Sequence, residues 1–420
     1  MLSSLTRNSS MSKTLTLDLL QKLVAGEGVA IRGKAVLEPA GGPADKVFPP
    51  THSIDKKDER KAGAKYAFEK RRIEGREVRC VLLDSVQSQA NRMEEALQVL
   101  WADRRIALPV IAVDFRAVAA DVGIVTSLTA PHRIADALLR DSLLDGTLFR
   151  LSAIGKSFTD ATARNAAALF KVCPTGLLFG LWDSTGPKGG LGSKFARALV
   201  SEIVGIDATE GVKTSSRIDP TSIVTKAAEV LQAAGDERWT HDPAVAIKDK
   251  KGLPLKVKDG KVSEVNHSNI PPTIDEIAGG VTIDHADHTV VISLAGLRKL
   301  SFGDGDAAAR TVLAALGLLA VVAAQSRGHD LRSRCLLVPR PGCALALEAV
   351  HPDGTSEKIA LDLEGAVALF NSAVTALPED LRFTAKPGEP IATLMPSPKL
   401  AHLVQKSREL AAVGADIGDE

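Results

Sequence analysis

The chain has 420 residues and a formal net charge of +1, so no global basic field marks it as a nucleic-acid binder and any such site must be a local cluster. Aromatic residues are 4% of the chain, with one tyrosine, which argues against a surface that binds bases mainly by stacking on exposed rings. The length suits roughly two or three ordinary domains, or one domain with long insertions.

Residues 1–14 read as a flexible leader: the first ten are Ser-rich, no long apolar core marks a secretory signal, and Met11 is an alternative start. Apolar spacing predicts a helix over 15–26, ending at Gly26, and alternation predicts a strand over 29–37. From 38 to 79 prolines and glycines break the pattern, and 45–79 carries eleven basic against seven acidic residues. That stretch reads as an insertion projecting from the body, or as a solvated loop. A strand over 79–84 then leads into D-S-V-Q-S-Q-A-N-R-M-E, with Ser88 as the expected N-cap of a helix. Gln87, Gln89, Asn91 and Arg92 cluster there, either to hold a nucleic-acid backbone or bases, or as plain surface polarity.

Helices are expected over 131–144 and 161–170, and a strand over 176–181. Residues 181–205 follow as L-W-D-S-T-G-P-K-G-G-L-G-S-K-F-A-R-A-L-V-S-E-I-V-G. Glycines permit close backbone approach, and Lys188, Lys194 and Arg197 add charge, a combination that suits phosphate. The P-loop spacing fails, because Ser193 separates Gly192 from Lys194. The dinucleotide pattern begins at Gly190 and Gly192 and meets Phe195 where its third glycine belongs. A polymeric phosphate backbone needs no strict motif and fits better; a turn that needs glycine for geometry alone is the plain alternative.

Further on, helices are expected over 195–204 and 223–234, a hairpin over 248–262, and two strands around D-H-A-D-H within 281–294. A buried helix over 307–324, strands over 336–339 and 344–350, and a helix over 365–376 complete the pattern. Asp284, His285, Asp287 and His288 resemble a metal-ligand cluster, but with strand-like flanks the two histidines diverge or sit in a turn. Cys80, Cys173, Cys335 and Cys343 form no C-x-x-C pair, which makes a reducing cytoplasm the expectation and a disulfide framework or zinc ribbon not. The mixture of strands and helices without a repeat predicts an α+β protein with long inserts.

Five motifs occur in order: V-F-P-P-T-H (47–52), D-S-V-Q-S-Q-A-N-R-M-E (84–94), W-D-S-T-G-P-K-G-G-L-G-S-K-F (182–195), R-I-D-P (217–220) and L-R-S-R-C (331–335). With them the chain resembles, over about residues 15–390, the RAMP-superfamily backbone subunit of the type I-G (formerly I-U) CRISPR Cascade complex. The resemblance implies a modified RNA-recognition, ferredoxin-like palm over 15–400, with insertions near 38–79 (the candidate thumb) and 240–280, and a tail over 401–420. It implies no enzyme, no cofactor and no metal. The partners it implies are CRISPR RNA, copies of the chain stacked head to tail, target DNA through the guide, a guide-processing subunit, a large subunit and a recruited helicase-nuclease, with no membrane. Carried onto this sequence, Gly189, Gly190 and Gly192 approach guide phosphates, Lys188, Lys194 and Arg197 supply charge, and Gln87, Gln89, Asn91 and Arg92 contact sugar, phosphate or base. Arg217 either closes the groove or bridges to Asp219, and Phe48, Pro49 and Pro50 either wedge between bases or anchor a loop. The rival reading is a metal-dependent nuclease of the same fold, with Asp84 or Asp183 as its carboxylate.

Overall fold

The computed structural model describes residues 12–53, 65–183, 193–234 and 237–412. Among them the chain divides into two units: the described parts of 1–50, 68–208 and 283–402, and those of 51–67, 209–282 and 403–420.

The first unit is built on a mixed sheet whose strands bury alternate residues, as a half-covered sheet requires. Its strands and helices, in chain order, are β1 (Ala30–Pro39), β2 (Phe68–Ile73), β3 (Arg76–Asp84), α1 (Val86–Ala102), β4 (Leu199–Ile206), β5 (His285–Ser293) and α2 (Asp306–Ser326). They continue with β6 (His329–Arg332), β7 (Cys335–Pro339), β8 (Ala346–Val350), β9 (Ser356–Ala360) and α3 (Leu363–Thr375). The sheet order is β9-β8-β1-β5-β4-β3-β2, with a two-residue strand, Lys13–Thr14, parallel at the β9 edge and β7 on the end of β1. β5 runs antiparallel to β1 and to β4, and β8 antiparallel to β1. α2 packs on α1 and α3. It is apolar enough by length and composition to cross a membrane, yet most of it is buried inside the protein, including Leu313, Leu316, Leu318 and Leu319. A five-stranded sheet joins Ile124–Thr126, Ile111–Asp114, Ala392–Pro396, Ser142–Leu144 and Thr147–Leu148 in that order.

The α+β expectation holds. So do strands near 29–37, 79–84, 336–339 and 344–350 and helices near 307–324 and 365–376. The helix near 15–26 is α-helical only over Leu17–Lys22 and continues as a π turn, Leu23–Glu27.

Several expectations fail for identifiable reasons. Residues 195–204 form no helix: 199–206 is the central strand β4, with Leu199, Ser201 and Ile203 facing inward. A short apolar run reads equally well in either period, and pairing on both edges decides for strand. The same ambiguity inverts 176–181, where Pro174–Phe179 is a buried helix opened by Pro174 at its first position. In 131–144 Asp136 starts a new cap by accepting from Leu138 N, so only Ala137–Arg140 is α-helical and Ser142–Leu144 is a strand. The helix near 161–170 shrinks to Ala167–Phe170. Residues 223–234 contain no helix; Leu231–Gln232 pairs with Trp239–Thr240, and Val224 is exposed. The 248–262 hairpin reduces to isolated bridges such as Lys248↔Pro254. H-A-D-H belongs to one strand, β5, rather than to a turn between two. The N-cap of α1 is Ser85, not Ser88: Ser85 Oγ accepts from Ser88 N at 3.2 Å.

The predicted insertion at 38–79 is divided. Residues 68–79 lie in the β2–β3 hairpin of the main sheet, 54–64 lie outside the described residues, and 51–53 and 65–67 belong to the second unit. That unit holds three two-stranded ribbons, the longest pairing Lys213–Arg217 with Ile270–Asp275. Tyr66 lies in it, its hydroxyl accepting from Gly280 N at 2.9 Å.

Candidate nucleic-acid interface

A two-stranded ribbon, Leu181–Trp182 against Lys194–Phe195, flanks the glycine-rich stretch. Side chains alternate across a strand, so Leu181 and Phe195 are buried while their neighbours Trp182 and Lys194 point outward as a cross-strand pair. The Lys194 ammonium lies 5.3 Å from the Trp182 ring centroid, a cation–π contact. Trp182 is 58% exposed, unusual for the largest apolar side chain. Both residues line a cleft of about 670 Å³, together with Arg133, Arg140, Asp183 and Arg197.

The charges of this wall separate into spent and available ones. Arg133 is buried and donates to Glu94 at 2.7 Å; burial raises the Glu94 carboxyl above its ordinary range, against the pull of Arg133. Asp183 is buried against Arg150 at 2.6 Å, and Arg140 pairs with Asp141 at 2.6 Å. Lys194 and Arg197 are both exposed and have no ion pair among the described residues. The ribbon base is firmly held: Asp183 N donates to Ser193 O at 3.0 Å, and the Ser193 hydroxyl lies 2.8 Å from Phe158 O. Gly180 enters the ribbon at φ +86, where a Cβ would stand 2.8 Å from Arg197 Cγ and 3.2 Å from Phe195 O. Only glycine fits that backbone without strain.

The Asp84 motif is organised differently. Asp84, fully buried at the end of β3, accepts from Gln89 Nε2 at 2.6 Å, Arg92 Nε at 3.0 Å and Arg332 Nη2 at 3.1 Å. Arg92 also donates to the carbonyls of Asp330 and Leu331, and Arg332 to that of Leu83. Because Gln89 gives its amide to Asp84, its Oε1 accepts from Ser201 Oγ at 3.0 Å. Ser201 Oγ is thereby left to accept from His288 Nε2, 2.9 Å away, which assigns the ring proton to Nε2. Burial pushes His288 down to about 3, with the nearby His329 adding to the effect. Gln89, Arg92, Ser201, His288 and His329 border a cavity of about 260 Å³ between α1, α2 and the sheet.

Of the predicted contacts, Lys194 and Arg197 therefore lie together on the cleft, and Gln87 is exposed and Asn91 half-buried on α1. Gln89 is buried and Arg92 half-buried, both bound within the Asp84 network. Lys188, Gly189, Gly190 and Gly192 lie outside the described residues. Arg217 is half-buried on its ribbon in the second unit, and its positive charge is one of the influences that lower the Asp219 carboxyl. Hydrogen bonds from Thr221 and from Ser268 N fix Asp219 and are the larger causes that lower it to about 2. Pro49 is buried and Phe48 half-buried, with the Arg334 guanidinium 4.3 Å from the Phe48 ring centroid. His285 is enclosed by Asp284 and Asp287 at 2.6 and 3.3 Å, while His288 is directed to the other face of β5. Among the described residues no cluster of three or more His, Cys, Asp or Glu is placed to hold a metal.

Sequence reasoning passed over Trp182, Arg133 and Arg140. The signal for Trp182 was the pair of two-residue alternations, L-W and K-F, on either side of the glycines.

Residues 31–210 match the family model described as CRISPR-associated protein GSU0053. No curated protein matches the chain. The matched span runs from β1 through β4 and contains Trp182, Lys194, Arg197 and the Asp84 motif. The part of the chain that builds the cleft is thus similar to a family of CRISPR-associated proteins, and this similarity supports a role in a CRISPR system.

Proposed function

We propose that the chain is a CRISPR RNA-binding backbone subunit of a type I-G Cascade complex. The observation that carries this reading is the cleft wall of exposed Lys194, Arg197 and Trp182, beside a glycine-rich stretch and inside the span that matches the CRISPR-associated family. A guide held by its phosphates needs local cations and close backbone approach, and leaves its bases free to pair with target DNA. The strand order supports the same reading. β8-β1-β5-β4, with α1 between β1 and β4 in the chain and α2 between β5 and β8, is the arrangement of a split βαβ sheet, the basis of RNA-recognition palms. In this role copies stack along one guide in the cytoplasm, beside guide-processing and large subunits, and a recruited helicase-nuclease cuts.

The subunit itself is not a catalyst in this proposal. Asp84 and Asp183, the carboxylates a nuclease reading would use, are both buried in arginine pairs. The test is size-exclusion chromatography of the chain co-expressed with its CRISPR array and partner subunits, read at 260 and 280 nm. A large species rich in guide-length RNA, lost in a Lys194→Glu/Arg197→Glu variant, is expected. On isolated protein, each phosphate contact removed should lower the salt slope of single-stranded RNA affinity by about 0.7. Salt-independent affinity contradicts the phosphate model.

A further inference from the structure

We propose that Trp182 is a stacking platform for one unpaired nucleobase of single-stranded RNA, with Lys194 and Arg197 holding the adjacent phosphate. The inference rests on the nucleic-acid reading of the cleft and goes beyond it, because phosphate contacts alone give no role to an aromatic ring.

The geometry is specific. The ribbon register sets Trp182 opposite Lys194 on its outward face, while Leu181 and Phe195 anchor the same two strands in the core. The ring is therefore held on a fixed support and left 58% exposed inside a cleft lined by cations. Trp101, by contrast, is buried. A cleft of about 670 Å³ falls in the range of pockets that take small molecules, roughly 300–1,000 Å³, and has room for a nucleotide. Every base has a π-face, so stacking tolerates any sequence, as a variable guide requires. The Lys194 ammonium lies over one face of the ring, so a base stacks on the other, and the charge attracts the phosphate that accompanies it. The low aromatic content of the chain excludes a general stacking surface, but not one ring used at one position.

The test compares full-length protein binding to a short oligouridine and to an abasic ribose-phosphate oligomer of equal length, by fluorescence anisotropy at fixed salt. The variants are Trp182→Ala, Trp182→Phe and Lys194→Glu/Arg197→Glu, each checked for an unchanged melting temperature; Trp182 is exposed, so its replacement leaves the core intact. Stacking predicts that Trp182→Ala weakens oligouridine binding about tenfold, leaves the abasic oligomer unaffected, and is largely rescued by phenylalanine. Equal weakening on both oligomers would mean that the ring only positions Lys194, and overturns the proposal. Wild-type affinity of Trp182→Ala for both, with loss in the charge-reversal variant, overturns stacking and leaves the phosphate reading standing. Wild-type affinity of the charge-reversal variant, or no binding by the wild type, overturns the nucleic-acid reading of the cleft and stacking with it.

Discussion

Replacing Asp84 by alanine tests whether the D-S-V-Q-S-Q-A-N-R motif is a structural keystone. The carboxylate is fully buried and both of its oxygens are engaged, by Gln89 and Arg92 on one side and Arg332 on the other. Removing one partner of a buried charge pair costs about 3–5 kcal/mol, because the opposite charge is left without compensation. Here the two guanidinium groups remain 30% and 26% exposed and keep their carbonyl partners, so water offsets part of the loss. The Gln89 amide has no such recourse, and an unsatisfied buried donor costs about 1–3 kcal/mol. Together these place Asp84→Ala at about 3 kcal/mol of destabilisation, and Asp84→Asn, which keeps the volume and one acceptor, at about 2 kcal/mol. The assay is urea denaturation followed by far-UV circular dichroism, with Arg92→Ala made in both backgrounds. Arg92→Ala should cost less once Asp84 is gone, by at least about 1 kcal/mol, since the two residues share one contact. An Asp84→Ala protein within about 0.5 kcal/mol of the parent refutes the keystone role.

Three other outcomes are expected. His288 is held neutral by burial at about 3 against an ordinary 6.5, so between these values only the unfolded chain binds the proton. Stability should therefore fall as pH drops below about 6.5, with this group contributing a slope of up to about 1.4 kcal/mol per pH unit, and His288→Gln should flatten the curve between about pH 6.5 and 5. An unchanged slope by denaturation at several pH values counts against it. Gly180→Ala forces a side chain onto φ +86 and against Arg197 and Phe195, and should destabilise by about 1–3 kcal/mol while weakening RNA binding. Wild-type melting and affinity would show that the ribbon does not depend on that backbone. The purified chain with Mg²⁺ or Mn²⁺ should leave RNA and DNA intact on a sequencing gel; specific cleavage abolished by Asp183→Ala would instead establish the nuclease reading.

Local pattern alone determined much of this protein. The α+β class, the buried helix Asp306–Ser326 and the strands Ala30–Pro39 and Arg76–Asp84 follow from apolar periodicity, which acts over neighbouring residues. The phosphate-suited stretch was legible in its glycines and cations, and Lys194 and Arg197 do share one cleft. What sequence could not settle depends on pairing between distant segments. The run 199–206 is a strand because His285–Ile292 and Cys80–Asp84 lie beside it, not because of its own propensity. Gln89 and Arg92 look like surface amide and cation until the fold brings Arg332, 248 residues from Asp84, and Ser201, 112 residues from Gln89, against them. Trp182 shows the reverse: an aromatic residue expected in a core is turned outward because the partner strand claims Leu181 and Phe195 for the interior. Hydrophobic period is a property of the chain; which polar groups become buried partners and which ring stays exposed is decided only when tertiary pairing assigns each face.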